Sequence, residues 1–118
     1  MNRMDALEVD IDGAKKLAKG GSNIYVFAEN LGDGEFVKAL LEGIGRTEEV
    51  DFGEARMIVM HLGSDGDIEE LAQKYADSVI VCPHGNTSLR MARSLVALGV
   101  KAYSLHGGLA GLRSRAQQ

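Results

Sequence analysis

VIVCPHGNTSLRMA, residues 79–92, carries an apolar run into the only cysteine of the 118-residue chain, then turns helical within a few residues. With Ser78 in front, SVIVC reads as a buried strand, and Ser88 opens a mostly apolar helix, SLRMARSLVALG, that a glycine ends. The residues between them form a short corner from strand to helix. A cysteine at such a corner has its sulfur aimed at the N-terminus of the helix. The first backbone N–H groups there lack intrahelical partners, and the aligned peptide dipoles add partial positive charge. That setting favours thiolate over thiol, and the same amides can receive an oxyanion or a persulfide. Gly85 permits a backbone geometry closed to other residues, so that consecutive N–H groups can turn inward. Thr87 is expected to cap the helix and point its hydroxyl at a bound group, while Pro83 supplies no N–H and stiffens the start of the loop.

Working outward, strand and helix patterns alternate. LEVDI is a short first strand, DGAKKLAKGG a helix with Ala14, Leu17 and Ala18 inward, and NIYVFAE a strand. GEFVKALLEGIG places Val37, Leu40, Leu41 and Ile44 at helical spacing, and ARMIVMHLG, an apolar run, reads as the next strand. SDGDIEELAQKYA is a helix with Ser64 as its expected cap and Ile68, Leu71, Ala72 and Tyr75 inward. After SVIVC and its helix come a last strand, KAYSL, and a short terminal helix, GLAGLRSRA. Such alternation implies a parallel sheet, because crossover connections lay helices over it. The expected architecture is a small open five-stranded parallel α/β sheet flanked by helices on both faces, one domain over residues 1–118. Ligands of such sheets sit outside the carboxyl ends of the strands, where this reading gathers Cys82, Glu29, His61 and His106.

Composition narrows the function classes. A net charge of -4 and 5% aromatics give neither a basic face nor a stacking platform, so no nucleic-acid partner is expected. A lone cysteine makes no internal disulfide, and the sequence shows no apolar targeting or membrane segment, which together suggest the cytoplasm. One cysteine and three dispersed histidines have no metal-ligand spacing, and neither metal nor cofactor is implied.

CPHGNT, Cys82–Thr87, resembles the six-residue active-site loop of the rhodanese family of sulfurtransferases, of the form C-x-x-G-x-[RT]. The likeness continues through Ser88, the following helix and KAYSLHGG, with its glycine pair Gly107–Gly108, over residues 79 to 115. VFAEN stands where the family usually has Asp-x-Arg, and Leu112 where many members have tryptophan. The resemblance implies a rhodanese-like fold and a mechanism. Cys82 as thiolate attacks the outer sulfur of a donor such as thiosulfate and holds it as a persulfide. It then passes that sulfur to a thiol or cyanide. The backbone N–H groups of residues 84 to 88 form the cradle, so that Pro83, His84, Gly85, Asn86, Thr87 and Ser88 make up the substrate-binding loop. The implied partners are a small anionic sulfur donor and a protein sulfur donor or acceptor. Pro83 and His84 match neither the basic loop of thiosulfate enzymes nor the small residues of mercaptopyruvate enzymes, and so name no donor.

Plainer readings compete for each residue. A lone cysteine ordinarily packs as a small hydrophobe, Gly85 alone is a turn residue and Thr87 alone a helix cap. Their joint spacing from Cys82 carries the signal. For His61, His106 and Glu29, surface or structural roles are the expectation, and Arg113 and Arg115 read as a solvated tail. Two other functions fit the pattern less well. A cysteine-dependent phosphatase or arsenate reductase wants arginine six residues after the cysteine, where this chain has Ser88, with Arg90 already on the helix. A non-enzymatic binding or regulatory module would keep the fold without the chemistry.

Overall fold

The computed structural model describes residues 6–61 and 68–116. Its strands are β1 (Glu8–Val9), β2 (Asn23–Ala28), β3 (Arg46–Asp51), β4 (Ser78–Val81) and β5 (Ala102–Leu105). The helices are α1 (Ile11–Lys19), α2 (Asp33–Leu40), α3 (Phe52–His61), α4 (Ile68–Lys74), α5 (Asn86–Ala97) and α6 (Gly108–Ala116). All five strands pair in parallel in the order β1-β5-β4-β2-β3. The strand that ends at Cys82 is therefore central, with β5 on one side and β2 on the other.

The sheet is covered on both faces, as the alternation of elements implies. Successive strand residues point to opposite faces. On one face Ile24, Val26, Val79 and Val81 pack with Ala14 and Ala18 of α1, Val37 of α2, and Leu109 and Leu112 of α6. On the other, Tyr25, Phe27 and Ile80 pack with Ala55 and Ile58 of α3, Ala72 of α4, and Met91, Ala92 and Leu95 of α5. Fully burying one such large apolar side chain contributes about 1.5–3 kcal/mol, so the two layers fix which face each helix takes. Leu112, at the tryptophan position of the resemblance, is buried in the first layer.

Two sequence expectations are overturned. The run ARMIVMHLG is not a strand: residues 55 to 61 belong to α3. Phe52, Ala55, Ile58 and Val59 recur at helical spacing against the second layer, which a short apolar run conceals. The strand that belongs there is RTEEVD, which lies at the sheet edge with Arg46, Glu48, Glu49 and Asp51 exposed. Charged edge strands resist pairing with other chains, and for that reason lack the apolar signal of a buried strand. His61, expected at a strand end, closes α3 instead. Ser64, the expected cap of the next helix, lies outside the described residues.

Candidate active site

The chain leaves β4 at Val81 and enters α5 at Asn86, so Cys82, Pro83, His84 and Gly85 make the whole connection. Gly85 is the residue before the helix and has a φ of 89°, in the left-handed region that favours glycine. This turn brings the helix back over the cysteine. The Cys82 Sγ accepts hydrogen bonds from the Gly85 N–H at 3.1 Å and the Ser88 N–H at 3.3 Å. The Ser88 hydroxyl lies 3.2 Å from the same sulfur. Of the five loop amides expected to surround the sulfur, these two reach it. Gly85 has no side chain to cap α5, and the sulfur takes only the Ser88 amide of the first turn, which leaves those of Asn86 and Thr87 for a bound group. Thr87 is not the cap: it sits one residue inside the helix, because the helix begins two residues before the apolar pattern does.

Behind the sulfur Ser88, a residue of the expected loop, meets a buried hydroxyl that the sequence did not single out, that of Ser104. Ser88 Oγ is 2.6 Å from Ser104 Oγ on β5, and both hydroxyls approach the Gly85 carbonyl, at 3.3 and 3.5 Å. Ser88 and Ser104 are fully buried. When the thiol is neutral its S–H can donate to Ser88. When it is a thiolate, Ser88 can turn its own proton to the sulfur while the Ser104 hydroxyl supplies Ser88 Oγ. The Gly85 carbonyl still accepts the Leu89 N–H, so neither arrangement leaves it unpaired. Only the strand order brings Ser104 here, since β5 lies beside β4 with Ser104 level with Ile80.

The far side of the loop is closed by the glycine pair after β5. Leu109 N–H donates to the Cys82 carbonyl and Ala110 N–H to that of Pro83, both at 2.9 Å. Gly108 sits so close that a Cβ there would come within 2.1 Å of the Cys82 carbonyl oxygen. The thiol is 2% exposed. Its loop neighbours Pro83 and His84 line an open cleft of about 270 Å³ with Glu29, Asn30, Asp33, Leu109, Ala110 and Arg113. Glu29 reaches it because β2 runs beside β4.

Arg113, expected in a solvated tail, is exposed but not free. It forms an ion pair with Asp33, whose side chain is 6% exposed, and its guanidinium lies 5.3 Å from the centre of the Phe36 ring. His106 lies outside this cleft. Its Nδ1 is 2.8 Å from a Glu8 carboxylate oxygen, and it borders a second cleft with Asp10, Ile11 and Arg115. Among the described residues no three His, Cys, Asp or Glu side chains gather as a metal-binding group. Nor is any described helix long and apolar enough to cross a membrane.

No protein-family model matches the chain, and no curated protein matches it. Among solved structures it is similar to the N-terminal domain of a "putative ATP/GTP binding protein" from Clostridium difficile 630. The two share 22% identity at a TM-score of 0.52, over 93% of this chain and 98% of that one. That likeness is one of fold, and the topology is rhodanese-like.

Proposed function

We propose that the chain is a sulfurtransferase or persulfide carrier in which Cys82 takes a sulfane sulfur from a donor and hands it to a thiol or cyanide. The observation that carries the reading is the sulfur's own surroundings: two backbone N–H groups donate to Sγ at the N-terminus of α5. Donors aimed at one atom stabilise a negative charge on it, and a thiolate is the nucleophile this chemistry needs. In the first step the Cys82 thiolate attacks the outer sulfur of the donor. The donor's bond to that sulfur breaks, and its remainder leaves with the electron pair. The outer sulfur of the resulting persulfide carries the charge, and the uncapped amides of Asn86 and Thr87 are the groups available to receive it. An acceptor thiolate then attacks the outer sulfur and Cys82 departs as thiolate.

One observation favours a second reading, a non-enzymatic module of the same fold: the thiol is 2% exposed behind hydrogen bonds from Leu109 and Ala110. The phosphatase reading loses ground, because Ser88 hydrogen-bonds the sulfur where a phosphate-clamping arginine would stand, and Arg90 is exposed on α5. Intact mass separates the first two. A gain of one sulfur on incubation with a sulfane sulfur donor, lost on adding cyanide and absent in Cys82→Ser, is the expected result. No gain from thiosulfate, mercaptopyruvate or a hydropersulfide transfers the case to the regulatory module.

A further inference from the structure

Cys82 is buried, and the cleft lined by its loop neighbours Pro83 and His84 lies beside it, so the charges of that cleft bear on what can reach the loop. Glu29 and Asp33 contribute two negative charges and Arg113 one positive, a formal sum of -1, with His84 adding charge only when protonated. Among the described residues Arg113 is the only lysine or arginine lining the cleft, and its part-exposed guanidinium is paired with the buried Asp33 and lies over Phe36. Glu29 and Asn30 are shared with an adjoining cleft bordered by Glu49 and Asp51, so two further carboxylates flank the entrance. A dianion such as thiosulfate approaches this rim against a repulsive field, whereas a donor of zero net charge does not.

We infer that Asp33 and Glu29 are specificity-determining residues that turn the Cys82 site away from small dianionic donors and toward sulfane sulfur carried as a persulfide on a thiol without net negative charge. This rests on the sulfur-transfer reading of Cys82 and refines its substrate class. The step is balanced by the donor and a proton from water. The donor, zwitterionic as R–S–S⁻ on approach, takes a proton from water to give R–S–SH; the Cys82 thiolate attacks its terminal sulfur, the donor S–S bond breaks, R–S⁻ leaves, and Cys82 holds the sulfur as –S–SH. Asp33 acts by neutralising the cation that would otherwise meet an anion.

The test compares initial rates of sulfur loading on the native chain from thiosulfate and from cysteamine persulfide, whose ammonium balances its terminal sulfur, each over a range of salt concentrations. Loading from thiosulfate is expected to speed up as salt screens the repulsion. Neutralising one carboxylate near a dianion is expected to raise that rate roughly three- to tenfold in Glu29→Gln and in Asp33→Asn. Cysteamine persulfide should change less than about twofold in either variant, since its net charge is zero. Glu29 is exposed, so Glu29→Gln and the salt series on the native chain keep the test open should Asp33→Asn fold poorly. Thiosulfate loading that falls with salt, or that ignores both substitutions, overturns the inference while leaving sulfur transfer at Cys82 intact. Failure of both donors to load Cys82 overturns the sulfur-transfer reading and the inference together.

Discussion

Replacing Gly108 with alanine tests how the reactive loop is held. Gly108 has a φ of 59°, and an added Cβ would lie 2.1 Å from the Cys82 carbonyl oxygen, 2.7 Å from Gly85 N and 2.9 Å from His84 N. All three are backbone atoms, so no side chain can swing away to make room. The left-handed backbone alone costs an L-residue roughly 1–2 kcal/mol. Moving the loop off the new methyl also stretches the hydrogen bonds from Leu109 to Cys82 and from Ala110 to Pro83, each worth about 1 kcal/mol net. The expected loss is about 3–4 kcal/mol, a large part of the 5–15 kcal/mol that holds a typical domain folded. Gly99→Ala is the matched control, because Gly99 has a φ of 92° with nothing within 4 Å of its Cβ position and incurs only the backbone cost. Urea unfolding followed by circular dichroism should therefore separate the two variants by about 2 kcal/mol. Under native conditions Cys82 of Gly108→Ala should also react faster with thiol reagents than Cys82 of Gly99→Ala. Equal destabilisation by the two substitutions would refute the close packing of Gly108 on the loop.

Two further outcomes follow from buried hydroxyls. Tyr75 is 0% exposed, its Oη has no hydrogen-bond partner among the described residues, and burial, reinforced by Glu54, holds its phenol neutral well above the usual range. Tyr25 is pushed the same way, again chiefly by burial. Because the folded state keeps these protons longer than the unfolded chain, this stability is complete below pH of about 10 and is lost progressively above it. Tyr75→Phe should leave stability at neutral pH unchanged or raise it by up to about 1 kcal/mol, and should flatten the alkaline decline in urea midpoints; a loss at neutral pH would show that the hydroxyl has a partner. Ser104→Ala should cost about 1 kcal/mol and weaken the support of Ser88 beneath the sulfur. Since Cys82 is the only cysteine, the infrared S–H stretch, read at a pH acid enough to protonate the thiol, reports it alone, and that band should move toward the free-thiol position; an unmoved band removes Ser104 from the site.

The local geometry of the candidate site was legible in the sequence because it depends on neighbours along the chain. Cys82, Gly85 and Ser88 lie within one corner, and the spacing that puts a cysteine four residues before the first residue of the helix also puts the Gly85 and Ser88 amides on its sulfur. The parallel sheet covered on both faces was legible too, since alternating strand and helix patterns leave few other ways to bury both sets of apolar residues. The edge strand was not. RTEEVD pairs with β2 through its backbone, which carries no side-chain signature, while the apolar run after it supports strand and helix alike until the second layer selects a helix. Nor could the sequence place Ser104, Gly108 or the Asp33–Arg113 pair, which meet their partners from 16 to 80 residues away. Side-chain periodicity is set locally by backbone geometry and can be read along the chain. Which distant residues share a site is set by strand order, and only packing the whole sheet decides that.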